Sequence, residues 1–109
     1  MEYQIWVNGK FVDRDKAQVS ILDRGFRLGD VVFDTSRTFN GKVFKLREHL
    51  ERFYSSLKYV RIDPQISIGE MEKITLDVVR HNEKTRTTLN DDYMISQIVS
   101  GGIGARGGQ

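Results

Sequence analysis

The sequence predicts an α+β domain, an antiparallel sheet with two helices on one face. Three observations predict it. Two Asn-Gly pairs, Asn8-Gly9 and Asn40-Gly41, each divide two β-prone runs. Two helical stripes of apolar residues follow one another, the first from Leu46 and the second from Ile68. A short apolar run, "YMISQIVS", follows the helices and reads as a last strand.

In "YQIWVNGKFV", Tyr3, Ile5 and Val7 alternate, and Asn8-Gly9 supplies the two positive-φ positions of a type I′ hairpin turn. Further strand is expected before the second hairpin, "VVFDTSRTFNGKVFKL", whose turn is Asn40-Gly41. By strand alternation Val31, Phe33 and Thr35 share one face. From Leu46, apolar residues at 46, 50, 53, 57 and 60 form one helical stripe. Asp63-Pro64 should end that helix, because the residue before proline avoids helical dihedrals. Ser67 and Glu70 have the spacing of a capping box. Ile68, Met71, Ile74, Val78 and Val79 give the second helix its apolar face, and it should end near Asn82. "KTRTTLNDD" reads as a polar loop. The final "GGIGARGGQ" carries five glycines and nothing that would anchor it. The expected organisation is a small domain over residues 1–100 and a Gly-rich loop over 101–109 leading to a C-terminal domain outside these residues.

With 109 residues, eleven aromatics and 39% hydrophobic content, the chain can build one modest core. It has no cysteine, which rules out disulfides, thiolate metal sites and a cysteine nucleophile. A net charge of +2, without a basic stripe or interleaved aromatics, argues against nucleic acid. No apolar run has the length of a membrane span, and "MEYQIWVNGK" lacks the regions of a signal peptide, so a cytoplasmic protein is expected.

Four segments carry a resemblance: "VNGKFV", "SILDRGFRLGD", "VVFDTSRTFNGKVFKLREHLERF" and "SSLKYVRI". In this order and spacing they resemble the small N-terminal domain of class IV (fold type IV) pyridoxal-phosphate aminotransferases. That family includes branched-chain aminotransferases, D-amino-acid transaminases, aminodeoxychorismate lyases and R-selective amine transaminases. The similarity covers nearly all of residues 3–100.

The resemblance implies that Arg52, the arginine of "HLER", binds the phosphate of pyridoxal 5′-phosphate. Arginine suits that role, being a planar, permanently charged fork of donors. His49, one turn earlier, reads more simply as a helix-surface or interdomain contact, or as a group that orients Arg52. The resemblance places Phe33 and Leu28 along the substrate pocket, Leu28 in the turn that enters the strand with Gly29 and Asp30. It places Arg106 on a loop that grips a substrate carboxylate. Ser100 stands where many relatives have a second arginine.

The family's chemistry also needs a lysine that bonds to the cofactor and an acid paired with its ring nitrogen. In relatives both come from a larger C-terminal domain. None of the seven lysines, at 10, 16, 42, 45, 58, 73 and 84, stands in that context. No residue of this chain is therefore expected to be catalytic, and no metal site is expected. The expected enzyme is a transaminase moving an amino group between an amine or amino acid and a 2-keto acid, as a homodimer. "GDVVFD" departs from the commoner Gly-Asp-Gly-Val-Phe-Glu pattern at Val31 and Asp34, which with Arg106 leans towards the R-selective amine or D-amino-acid branches. Arg37 in "TSRTF" leans back towards the branched-chain group. An aminodeoxychorismate-lyase-like enzyme and a non-enzymatic α+β binding module remain the alternatives.

Overall fold

A computed structural model describes residues 3–85 and 92–104 of the chain. Strands β1 (Gln4–Val7) and β2 (Lys10–Asp13) form the first hairpin. Its turn has φ of 48° at Asn8 and 97° at Gly9, both positive as a type I′ turn requires. Strands β3 (Val31–Phe39), β4 (Lys42–Val43) and β5 (Met94–Ser100) form a second, antiparallel sheet in the order β4-β3-β5. The sheet is thus divided: the first hairpin stands apart from the three strands that carry the helices.

Between the hairpins the chain forms no further strand. It makes a 3-10 turn at Arg14–Lys16 and then a short helix, α1 (Arg24–Leu28). Asp23 caps α1 by accepting from the Gly25 amide at 2.8 Å. Gly29 ends it at a φ of 73°, a left-handed conformation that glycine adopts without a Cβ clash. Leu28 is therefore the last residue of a helix rather than part of an open turn.

Helix α2 (Leu46–Tyr59) buries Leu46, Leu50, Phe53 and Leu57, four of the five stripe positions. It stops before Asp63-Pro64. Ile62 N donates to Leu57 O at 2.9 Å and Arg61 N to Lys58 O at 3.2 Å, while Arg61 takes a φ of 64°. This is a Schellman end, and burial of Ile62 against the core pulls the chain out of the helix before proline can act. Helix α3 (Ile68–His81) starts on the expected capping box: Ser67 Oγ accepts from Glu70 N, and Glu70 Oε1 accepts from Ser67 N, both at 3.1 Å. It ends at Asn82, whose side chain fastens α3 to β1. Asn82 Oδ1 accepts from Gln4 N at 2.8 Å, and Nδ2 donates to Gln4 O at 2.9 Å.

The core joins Leu46, Leu50, Phe53, Leu57, Ile62 and Met71, with Val32, Val43 and Val99 of the sheet packed against it. Both helices lie on the sheet face that carries the even-numbered residues of β3, α2 over β3 itself and α3 against β5, where Gln97 Nε2 donates to Thr75 Oγ1. That face is unusually polar, with Asp34, Ser36 and Thr38 buried on β3 and Gln97 on β5. The opposite face carries Phe33, Phe39, Met94 and Ile98, all exposed. No helix among the described residues is long and apolar enough to cross a membrane.

The first part of the glycine-rich end is anchored, contrary to the expectation from its composition. Gly101 N donates to Asp30 O at 2.9 Å, Arg24 N to Gly102 O at 2.7 Å, and Ile103 bridges Asp23. The anchors lie between about seventy and eighty residues away in sequence, so nothing in "GGIG" itself reveals them.

Candidate functional site

Alternation along β3 fixes the geometry of the site. Phe33 points to the open face, paired across the strands with Ile98. Its neighbour Asp34 points to the helix-covered face and keeps only 9% of its side-chain surface exposed. A buried carboxylate needs charged or hydrogen-bonding partners. Helix α2 supplies them from His49 and Arg52, three residues apart and hence on one side of the helix.

Arg52 meets Asp34 with the edge of its guanidinium. Nε donates to Oδ2 at 3.2 Å and Nη2 to Oδ1 at 2.9 Å, a two-point contact between fork and carboxylate. Nη2 also lies 2.9 Å from His49 Nδ1. An arginine nitrogen only donates, so in this contact Nδ1 accepts and the ring proton sits on Nε2. Nδ1 is also 3.3 Å from Asp34 Oδ1. That second contact becomes a hydrogen bond only when Nδ1 carries the proton, at the expense of the bond from Arg52. Burial works against the charged form of Asp34. The Arg52 hydrogen bonds and charge outweigh it and hold the carboxyl below its usual range, with a lesser part from His49 when Nδ1 is protonated. In turn Asp34 raises the pKa of Arg52.

The Arg52 side chain remains 65% exposed, and its Nη1 has no partner among the described residues. This donor set fits a phosphate monoester in part. One permanently charged group keeps the two N–H bonds of Nη1 without partners among the described residues, while its other edge is already held. The charge of Asp34 offsets that of Arg52, so a phosphate would need further donors besides this one.

Leu28, at the end of α1, is 60% exposed, and Phe33 is 68% exposed. Both line accessible surface near the start of β3. Arg52 meets β3 on its helix-covered face, and Phe33 projects from the opposite face of the same strand. Among the described residues β4 pairs only with Thr38 and Phe39, so the strand from Val31 to Ser36 keeps an open edge where the two faces meet. Arg106 lies outside the described residues.

Two partnerships were missed in the sequence. Asp34 stood out only as a departure from the usual Glu. Yet alternation already put it on the core side, and a carboxylate there calls for a cation on the next helix. The other is Arg24, whose Nε donates to Asp30 Oδ2 at 3.1 Å and whose Nη1 donates to Gly104 O at 3.1 Å. Ser100 donates from Oγ to Asp23 Oδ1 at 2.6 Å. Arg24 and Ser100 together tie the end of β5 to α1.

Residues 31–108 match the amino-transferase class IV family, and the chain belongs to it. A Methanocaldococcus jannaschii protein inferred to be a branched-chain-amino-acid aminotransferase is 40% identical over 104 residues, which are 95% of this chain and 34% of that protein. A D-alanine aminotransferase of Staphylococcus haemolyticus is 34% identical over 92 residues, 84% of this chain and 31% of that protein. A solved T.th. branched-chain amino acid aminotransferase, complexed with N-(5′-phosphopyridoxyl)-L-glutamate, superposes with a TM-score of 0.82 at 30% identity. That match covers 98% of this chain and 35% of the other. The chain thus spans about a third of the length of the relatives it matches.

Proposed function

We propose that this chain forms the small-domain part of a pyridoxal-phosphate-dependent transaminase, which moves an amino group between an amine or amino acid and a 2-keto acid. The observation that carries the reading is the largely exposed guanidinium of Arg52, held on one edge by Asp34 and with no partner for Nη1 among the described residues. In this reading Arg52 binds the cofactor phosphate, Phe33 and Leu28 border the substrate, and Arg106 receives a carboxylate. The cofactor, when bound, supplies the electron sink for the amino-group transfer. The lysine that bonds to it comes from polypeptide outside these 109 residues, because none of the seven lysines has the required context. The enzyme works as a cytoplasmic homodimer. Membership of the class IV family and the phosphopyridoxyl group held by the solved T.th. relative support the cofactor assignment.

The test is Arg52→Ala in the complete enzyme. Cofactor retention, read from the visible absorption band after gel filtration, should fall sharply while the circular dichroism spectrum is kept. Undiminished occupancy would refute the phosphate role.

A further inference from the structure

We propose that Asp34 is the positioning residue of Arg52: it fixes the Nε–Nη2 edge so that Nη1 is the edge presented to phosphate. This rests on the reading of Arg52 given above and adds to it a residue that selects the guanidinium's orientation.

Three observations carry the inference. First, the carboxylate is fixed and the arginine is not. Asp34 sits in β3, which pairs with β5 through seven consecutive residues from Val31↔Ser100 to Arg37↔Met94, and it is buried under α2. Arg52 is mostly exposed on a long side chain, and such a side chain is otherwise free to sample many rotamers. Second, the contact is bidentate, so it sets the plane as well as the position of the guanidinium. His49 Nδ1 takes the remaining Nη2 hydrogen, leaving Nη1 as the nitrogen without a partner among the described residues. Third, the carboxylate is an odd choice for stability. A well-packed apolar residue on the covered face serves a core at least as well as a buried ion pair does. Asp34 is acceptable there because Arg52 answers it, and what the pair produces is a cation of fixed orientation.

Two measurements test this. In the apo form of the complete enzyme labelled with ¹⁵N, the Arg52 Nε–H, assigned by its loss in Arg52→Lys, should be a distinct slowly exchanging resonance. Asp34→Asn should move it into the fast-exchanging pool, with the backbone amide spectrum otherwise kept. Persistence of the slow resonance in Asp34→Asn would overturn the proposal. In the complete enzyme, reconstituted from its apo form, Asp34→Asn should weaken pyridoxal 5′-phosphate binding about tenfold, the scale seen when an outer partner of a metal ligand is removed, because the lost orientation of the fork outweighs the positive charge that the substitution uncovers. Pyridoxal, which lacks the phosphate, should bind as before, and Asp34→Glu should recover most of the loss. If Asp34→Asn fails to fold, Arg52→Lys takes its place. It keeps the charge and a partner for Asp34 but cannot present a fixed fork, so it should show a similar loss, and wild-type affinity would overturn the proposal. If Arg52→Ala weakens the phosphate compound and Asp34→Asn does not, only the positioning role falls. If Arg52→Ala binds it as tightly as wild type, the phosphate reading falls and takes this inference with it.

Discussion

Asp34 and Arg52 face each other across the gap between β3 and α2, with both carboxylate oxygens engaged by one guanidinium, at 3.2 and 2.9 Å. The pair couples a buried strand position to an exposed helix position, and it makes the charge state of one residue a matter of stability for the whole domain.

The first prediction concerns acid. The folded-state pKa of Asp34 is depressed, so the unfolded chain binds its proton more readily than the folded one. The stability that Asp34 contributes is complete above the ordinary aspartate pKa of about 4 and is lost as pH falls through the lower folded value. Urea unfolding of the wild type between neutral pH and about pH 3 should show a falling midpoint. Asp34→Asn should be less stable at neutral pH and should lose less on acidification. Parallel curves for the two proteins would contradict the assignment.

Leu50 is completely buried at the centre of the α2 stripe. Leu50→Ala should destabilise the domain by about 2–5 kcal/mol through lost burial and the cavity left behind. Equilibrium denaturation measures it directly. A loss under about 1 kcal/mol would mean that α2 is not packed as described.

The start of α3 rests on the reciprocal bonds of Ser67 and Glu70. Ser67→Ala should cost about 1 kcal/mol, the usual worth of an N-cap side chain. Ser67→Asp should restore most of it, since aspartate also accepts from the first amides and its charge favours the helix N-terminus. Thermal unfolding of the three proteins checks the order.

Gly101 lies against the Arg24–Asp30 ion pair. A Cβ built there would overlap Asp30 Oδ2 and come within 2.9 Å of its Cγ. Gly101→Ala should therefore displace the Asp30 carboxylate from Arg24 and lower stability. The same substitution made together with Asp30→Ala should cost clearly less, and equal costs in the two backgrounds would show that the clash is not the cause.

Phe33 gives the opposite outcome. Because it is largely exposed on the open face, Phe33→Ala should change stability by no more than about 0.5 kcal/mol. In the complete enzyme it should reduce kcat/KM for the amino donor. A core-sized loss of stability in the 109-residue chain would remove Phe33 from the open face.

The local chemistry of the chain was legible in its residues. Asn-Gly pairs demand positive φ at two successive positions, and both hairpin turns follow. A stripe of leucines and Phe53 at helical spacing can be buried only as a helix, and Ser67 with Glu70 marks where the next one starts. The motif around Arg52 was legible as well, so the candidate phosphate ligand and the class of protein came from sequence. These features depend on residues within a turn or two of one another, where covalent geometry leaves few choices.

The tertiary structure decided the rest, because it depends on which distant segments meet. Arg52 finds Asp34 eighteen residues back, and Arg24 reaches Gly104 across eighty. The α2 helix ends early because Ile62 gains more from the core than from another helical turn. The stretch after the first hairpin becomes a helix because Asp23 and Gly29 can cap it and because the end of β5 closes over it. Composition alone suggested a loose glycine tail, yet residues 101–104 are held by hydrogen bonds to that helix and its flanks. Long-range partners of this kind are set by strand register and by which face of each element is turned inward, and neither is fixed until the sheet and helices have packed.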